Sequence, residues 1–371
     1  MSKSFHFVLA ISVVMAASML LCPAVSHATI AVEGSVLPNP LHAGDGVVES
    51  EMELGVVFMS TGGVEVTDYD TLITRDGAIL GYSVASTAYV NLFDSTWMST
   101  SGVKVAHSAY TNADVHLVNS TWKIEGSTAL AQGDDSVATV TLDANSLWIT
   151  YYGAKVTQCA ECLATINVNS GLWLSEARVL LGGEGFSNDD GTGVLNIAAD
   201  GIFDSRYMLS MSSTGNIHFD GGQMLLAGET SLEGVLDATA AGGTIIVRVG
   251  EVAGGTGLVY VGDGADFTNC DIQIEFIDGL QPNPQTAYNV FDPLDGIDLA
   301  TSLAAAASIT TPLGWVLDTA TGELSAFPFP PCVAGPEQEA PTDCISVYDY
   351  DLDNDVDLAD FAEFQRRFVP Q

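Results

Sequence analysis

Positive charge is scarce in this chain. Ten Lys and Arg stand against 47 Asp and Glu in 371 residues, a formal charge of −37. A field of that sign repels polyanions, which argues against nucleic acid and anionic membranes as partners. It attracts Ca²⁺ and other cations. The acids are scattered rather than massed in a tail, so most of them read as a solvated surface. Long apolar runs are also missing. After residue 21 no stretch of 18 or more apolar residues occurs, so no membrane insertion is expected there. Catalytic signatures are missing as well: there is no Gly-x-Ser-x-Gly elbow, no phosphate loop and no Arg-x-Lys pairing. The cations of the body (Arg75, Lys104, Lys123, Lys155, Arg178, Arg206 and Arg248) are dispersed, and His42, His107, His116 and His218 are isolated in sequence. The pairs Asp134-Asp135 and Asp189-Asp190 lie in Gly-rich, turn-like stretches and read as solvated. No catalysis is expected.

Met1 to Ala28 has the pattern of a secretory signal peptide. Lys3 supplies the basic start, Phe7 to Leu21 the apolar core, and Ser26-His-Ala28 the small residues before a cut at Thr29. Its removal takes one cation and no acid, moving the charge from −37 to −38. Export to the cell surface or medium permits disulfides. Cys159-Ala-Glu-Cys162 has no second pair for a zinc site and no βαβ context for redox chemistry, so a local disulfide is expected. Cys332 and Cys344 share a Pro-rich stretch and form a second candidate pair. Cys270 falls on a strand pattern and reads as buried.

What the chain does have is a tryptophan-marked repeat. Val90-Asn-Leu-Phe-Asp-Ser-Thr-Trp97, Val115 to Trp122, Val140 to Trp148 (one residue longer) and Ile166 to Trp173 recur every 25 or 26 positions. Leu72 lies 25 before Trp97, and Phe203 lies 30 after Trp173. A fixed period of this size marks a solenoid. Apolar alternation, as in Val90 and Leu92, marks a strand with one buried face. Second apolar runs follow, such as Val103 to Ala106 and Arg178 to Leu181. Two or three short strands per repeat make one coil, and coils stack about 4.8 Å apart. The expected fold is therefore all-β, a right-handed parallel β-helix of ~25-residue coils. The tryptophans form a ladder along it, either as a core stack or as an exposed platform for sugar rings. Strict alternation from Val90 puts Trp97 on the face opposite the core unless the strand bends. Later strands (Gly243 to Val249, Gly257 to Val261, Asp271 to Phe276, Thr286 to Asp292 and Gly314 to Asp318) read as larger final coils or a cap.

The spaced tryptophans, the run Thr214-Gly-Asn-Ile-His-Phe-Asp-Gly-Gly222 and the close Gly314-Trp-Val-Leu…Gly322-Glu-Leu324 resemble the β-strand repeats of bacterial surface proteins. These are the autotransporter-associated or PEP-CTERM-associated repeats. The resemblance covers roughly residues 60–325 and implies an exported β-helix.

The most specific motif lies near the C-terminus, in Asp349-Tyr-Asp-Leu-Asp-Asn-Asp-Val-Asp-Leu-Ala-Asp360. With Asp349 as position 1, Asp351, Asp353, Asp357 and Asp360 take positions 3, 5, 9 and 12, and Asp355 at 7 offers its carbonyl. That is the oxygen order of an EF-hand calcium loop. Asn354 stands where Gly usually makes the sharp turn, and Val356 is the apolar plug. Leu358, Phe361, Phe364 and Phe368 then fall on one face of a following helix. Closure by Asp360 and the absence of an evident entering helix resemble a dockerin type I loop, over residues 343–369. That resemblance implies calcium as the bound ion and a cohesin-like or cell-surface protein as partner. A single loop implies a weak site, about 10⁻⁴–10⁻³ M.

The expected organisation is a signal peptide (1–28), a β-solenoid body with capping strands (29–326), a Pro-rich linker (327–342) and a dockerin-like module (343–371). The expected role is non-catalytic: an exported structural or adhesion protein held through calcium. The alternative is a carbohydrate-binding or polysaccharide-cleaving β-helix.

Overall fold

The computed structural model describes residues 29–37, 47–48, 50–159, 161–183, 191–250, 257–277, 280, 282–294 and 296–326. Each repeat folds as a three-sided coil. In the first full coil the sides are Thr61–Thr67, Thr71–Thr74 and Ala78–Leu80; in the next they are Thr87–Phe93, Thr96–Ser99 and Val103–Val105. We call these the long, tryptophan and short faces. Stacking them gives a 9-stranded sheet and two 11-stranded sheets, together a parallel β-solenoid of about nine coils. The expected all-β parallel β-helix is what the chain forms.

Register is set by like residues meeting like. On the long face Val64, Val90, Val115, Val140, Ile166, Leu195, Ile217 and Leu236 pair in one column. On the tryptophan face the column is Leu72, Trp97, Trp122, Trp148, Trp173, Phe203, Met224, Ile245 and Ile272. Every one of these is buried, and together they fill the single core of the rod. A one-residue slip would turn each inward set outward, so the pattern fixes the pairing.

The strand does bend before each tryptophan. The long strand ends at Phe93, Asp94 takes a left-handed φ of 49°, and a new strand starts at Thr96. That corner resets the alternation and turns Trp97 inward. Asn119 (φ 49°) makes the same corner one coil on. Asp and Asn are the non-Gly residues that tolerate this conformation best. The extra residue of the Val140–Trp148 copy is absorbed here, where Ala144 and Asn145 are both left-handed (φ 47° and 62°). Inside the corner, Ser95 and Ser120 each donate a backbone N–H to the serine hydroxyl of the coil above, at 3.1 and 3.3 Å. Buried backbone donors are thereby satisfied without water.

Both ends are closed. Thr29–Gly34 and Val36–Leu37 pair antiparallel under the first coil, against Thr61–Thr67 and Met52–Leu54. Tyr89, whose ring lies over Gly63, donates to the Glu33 carboxylate across this cap. That hydrogen bond, aided by burial and the charges of Glu33 and Glu65, pushes the phenol up to about 12. At the far end the long face stops at Val235–Ala238 while the other two faces continue to Ser308–Thr310 and Phe291–Pro293. A three-stranded antiparallel sheet (Tyr288–Asn289, Trp315–Asp318, Glu323–Ala326) and the short helix Leu299–Ala304 accompany these last coils. The closing strands are thus both larger final coils and a cap. Covered ends keep a solenoid from pairing edge to edge with another chain.

Candidate functional site

The tryptophans make no surface platform. Trp97, Trp122, Trp148 and Trp173 are fully buried and stacked, with ring centroids 4.9, 5.0 and 4.6 Å apart and planes within 12°. The spacing is that of the coils, so the rings follow the backbone ladder. A sugar ring has no access to them, so of the two readings the core stack is the one found.

Cys159 and Cys162 are disulfide-bonded, as the local spacing suggested. They occupy a corner turn that other coils close with hydroxyls. Ser86 Oγ donates to the Ser83 carbonyl at 2.6 Å, and Thr111 Oγ1 to the Ser108 carbonyl at 2.7 Å. The disulfide thus replaces a turn hydrogen bond and is a staple. Gly191 on the next coil must lack a side chain there, since a Cβ would lie 2.4 Å from the Cys162 sulfur.

Cys270 is a buried free thiol on the strand Cys270–Phe276. Burial, with the charges of Asp266, Asp271 and Asp237, pushes it up to about 12. Thiolate is the reactive form. Peptide mapping after iodoacetamide treatment at pH 8 should find Cys270 unmodified in folded protein and alkylated once the chain is unfolded in urea.

Among the described residues, no three His, Cys, Asp or Glu side chains form a metal-binding group, and no helix is long and apolar enough to cross a membrane. Asp349, Asp351, Asp353, Asp355, Asp357 and Asp360 lie outside the described residues, as do His42, the Asp189-Asp190 pair, Cys332, Cys344 and the aromatic helix pattern after the loop. Asp134 and Asp135 are exposed on their turn, as expected. Histidines isolated in sequence gain partners from the stacking. His116 meets Asp143 at 2.9 Å and His218 meets Asp237 at 2.5 Å, all four on the solvent side of the long face.

The outer surface of the tryptophan face carries the apolar column Ile149, Leu174, Leu225 and Ile246, interrupted by Asp204. Asp204 is buried beneath two guanidinium groups, Arg206 at 3.4 Å and Arg248 at 3.7 Å. Each arginine also meets a glutamate at 2.8 Å, Glu176 and Glu275 respectively. These cations are engaged with carboxylates in one ionic network.

Among the described residues, an open recess of about 370 Å³ lies on the short face. Its floor is Ala129, which stands in register between Lys104 and Lys155 on the adjoining coils. Gln132 and Gln158 form one wall, joined in a hydrogen-bonded ladder that begins at His107. Glu51 and Asp76 line its other end. No sequence motif marks this recess, because its parts are 25 or 26 residues apart; aligning the coils by the tryptophan period brings them into one column.

No protein family, curated protein or solved structure matches this chain.

Proposed function

We propose that this protein is an exported, non-catalytic structural element of a cell surface or extracellular assembly, attached through calcium at its C-terminal loop. The observation that supports the structural role is the unbroken buried column from Leu72 to Ile272. The repeat's large aromatics build a rod, and its capped ends suit a fixed-length spacer. The attachment rests on the loop spacing. Asp349, Asp351, Asp353, Asp357 and Asp360 would give side-chain oxygens and Asp355 a carbonyl, a hard-donor set suited to Ca²⁺. A dockerin-like loop would then present the following aromatic face to a cohesin-like or surface partner.

Washed cells should release the protein into the medium on treatment with a calcium chelator and rebind it when Ca²⁺ is restored. Asp353→Ala should already be free in the medium. Equal amounts bound with and without chelator would sink the anchor.

A further inference from the structure

We propose that the recess over Ala129 is a binding site for a short acidic oligosaccharide, with a uronate carboxylate seated between Lys104 and Lys155. The body has only seven cations, and the fold brings two of its three lysines into one outward column, one coil on each side of the smallest side chain in that column. The strand positions of the two lysines are about 9.6 Å apart, twice the coil spacing, and Ala129 leaves the space between them unfilled. Lys104 has no ion-pair partner among the described residues, in contrast to Arg206 and Arg248, and to Lys155, which already makes an interaction of its own. A cation left available to solvent in so acidic a chain is the group an anion would meet.

The surroundings select the rest of the ligand. At about 370 Å³ the recess falls at the lower end of the range for small-ligand sites, about 300–1,000 Å³. It runs along the rod from Glu51 and Asp76 past Ser127 to Gln158, so it favours a linear molecule. Its walls offer amides, hydroxyls and carboxylates, which pair with sugar hydroxyls as donors and acceptors. It has no aromatic wall to hold a planar base. Two acids at one end and the strongly negative chain oppose a polyphosphate but tolerate a single carboxylate flanked by hydroxyls. The recess residues lie between positions 51 and 158 of the sequence, far from the loop at 349–360, and the site stands whether or not that loop anchors the protein.

The test is calorimetric titration of the purified chain with a trisaccharide that carries a single uronate, in chelator so that the calcium loop and calcium bridging contribute nothing. Its methyl ester, which has the same backbone without charge, is the comparison ligand. The acid should bind, more weakly as salt rises, and the ester should bind at least about tenfold more weakly, the value of one charge-assisted contact. Lys104→Met and Ala129→Glu should each weaken acid binding by about the same factor. The second variant fills the recess at a column position where neighbouring coils already carry lysine, so the fold accommodates it. Lys123→Met, on the tryptophan face, should bind as the parent does. Equal affinity for the ester, undiminished binding in either recess variant, or no binding by the parent chain overturns the proposal.

Discussion

Trp148→Ala should lower the unfolding free energy by about 3–5 kcal/mol, the cost of removing a buried aromatic and leaving its cavity. Trp148 is wholly buried between Trp122 at 5.0 Å and Trp173 at 4.6 Å. Both neighbours are held at coil spacing by parallel backbone pairing, so the walls of the cavity cannot close on it. Trp148→Phe should cost much less, for two reasons. The column already accepts a phenyl ring at Phe203, 4.6 Å from Trp173 and tilted by 37°. The indole N–H of Trp148 also has no hydrogen-bond partner, so phenylalanine removes an orphaned donor. Trp97 provides the contrast, since its N–H donates to the Thr74 hydroxyl at 3.2 Å. Trp97→Phe should therefore destabilise more than Trp148→Phe, by about 1 kcal/mol. Urea unfolding followed by near-ultraviolet dichroism of the stacked indoles gives the order directly. If the alanine variant unfolded within about 1 kcal/mol of the parent, the ladder would not be a core element.

The difference between the two tryptophans shows which parts of the fold were legible in the sequence. The period, the alternation and the like-on-like ladder from Leu72 to Phe203 follow from residue spacing alone, and each pairing is found. The ladder's continuation through Met224 and Ile245 was not legible. The coils shorten there to 21 residues, and the aromatic marker gives way to ordinary apolar residues. The direction in which Trp97 points was also open. It depends on a left-handed φ at Asp94, and Asp permits that conformation without requiring it. The recess was hidden for another reason. Lys104, Ala129 and Lys155 carry no mutual spacing signal until the register of the short face is known, and that face has strands of only three residues. The acid pattern at residues 349–360, proposed as a calcium loop, has the opposite character. Its evidence is entirely local, one acid pattern within twelve residues, and no contact with the solenoid is needed to recognise it.

Glycine at the corners follows the same logic of stacking, and Gly228→Ala should be among the most damaging small changes available. Gly228 joins Gln223–Leu226 to Glu229–Leu232 and sits above Tyr207 of the preceding coil. A Cβ there would lie 1.2 Å from the Tyr207 carbonyl oxygen and 2.1 Å from its carbon. Neither atom can rotate away, because both belong to the backbone of the coil beneath. We expect a loss of about 3 kcal/mol or more, the upper end of overpacking costs. Gly296→Ala separates steric from conformational cost. Gly296 has a left-handed φ of 87°, and an added methyl group would meet no atom within 4 Å, so only the backbone preference of about 1–2 kcal/mol is lost. The distribution of the damage is as informative as its size. Each coil touches mainly its neighbours, so a defect at Gly228 should loosen the coils around residues 208–249 while the first coils hold. Amide exchange should accelerate in Met208–Met211, Glu229–Leu232 and Gly243–Val249 and stay slow in Thr87–Phe93 and Asn112–Val118. Uniform acceleration along the rod would mean that the solenoid unfolds as one cooperative unit. In that case a corner glycine 99 residues from Ala129 would also control the proposed occupancy of the recess.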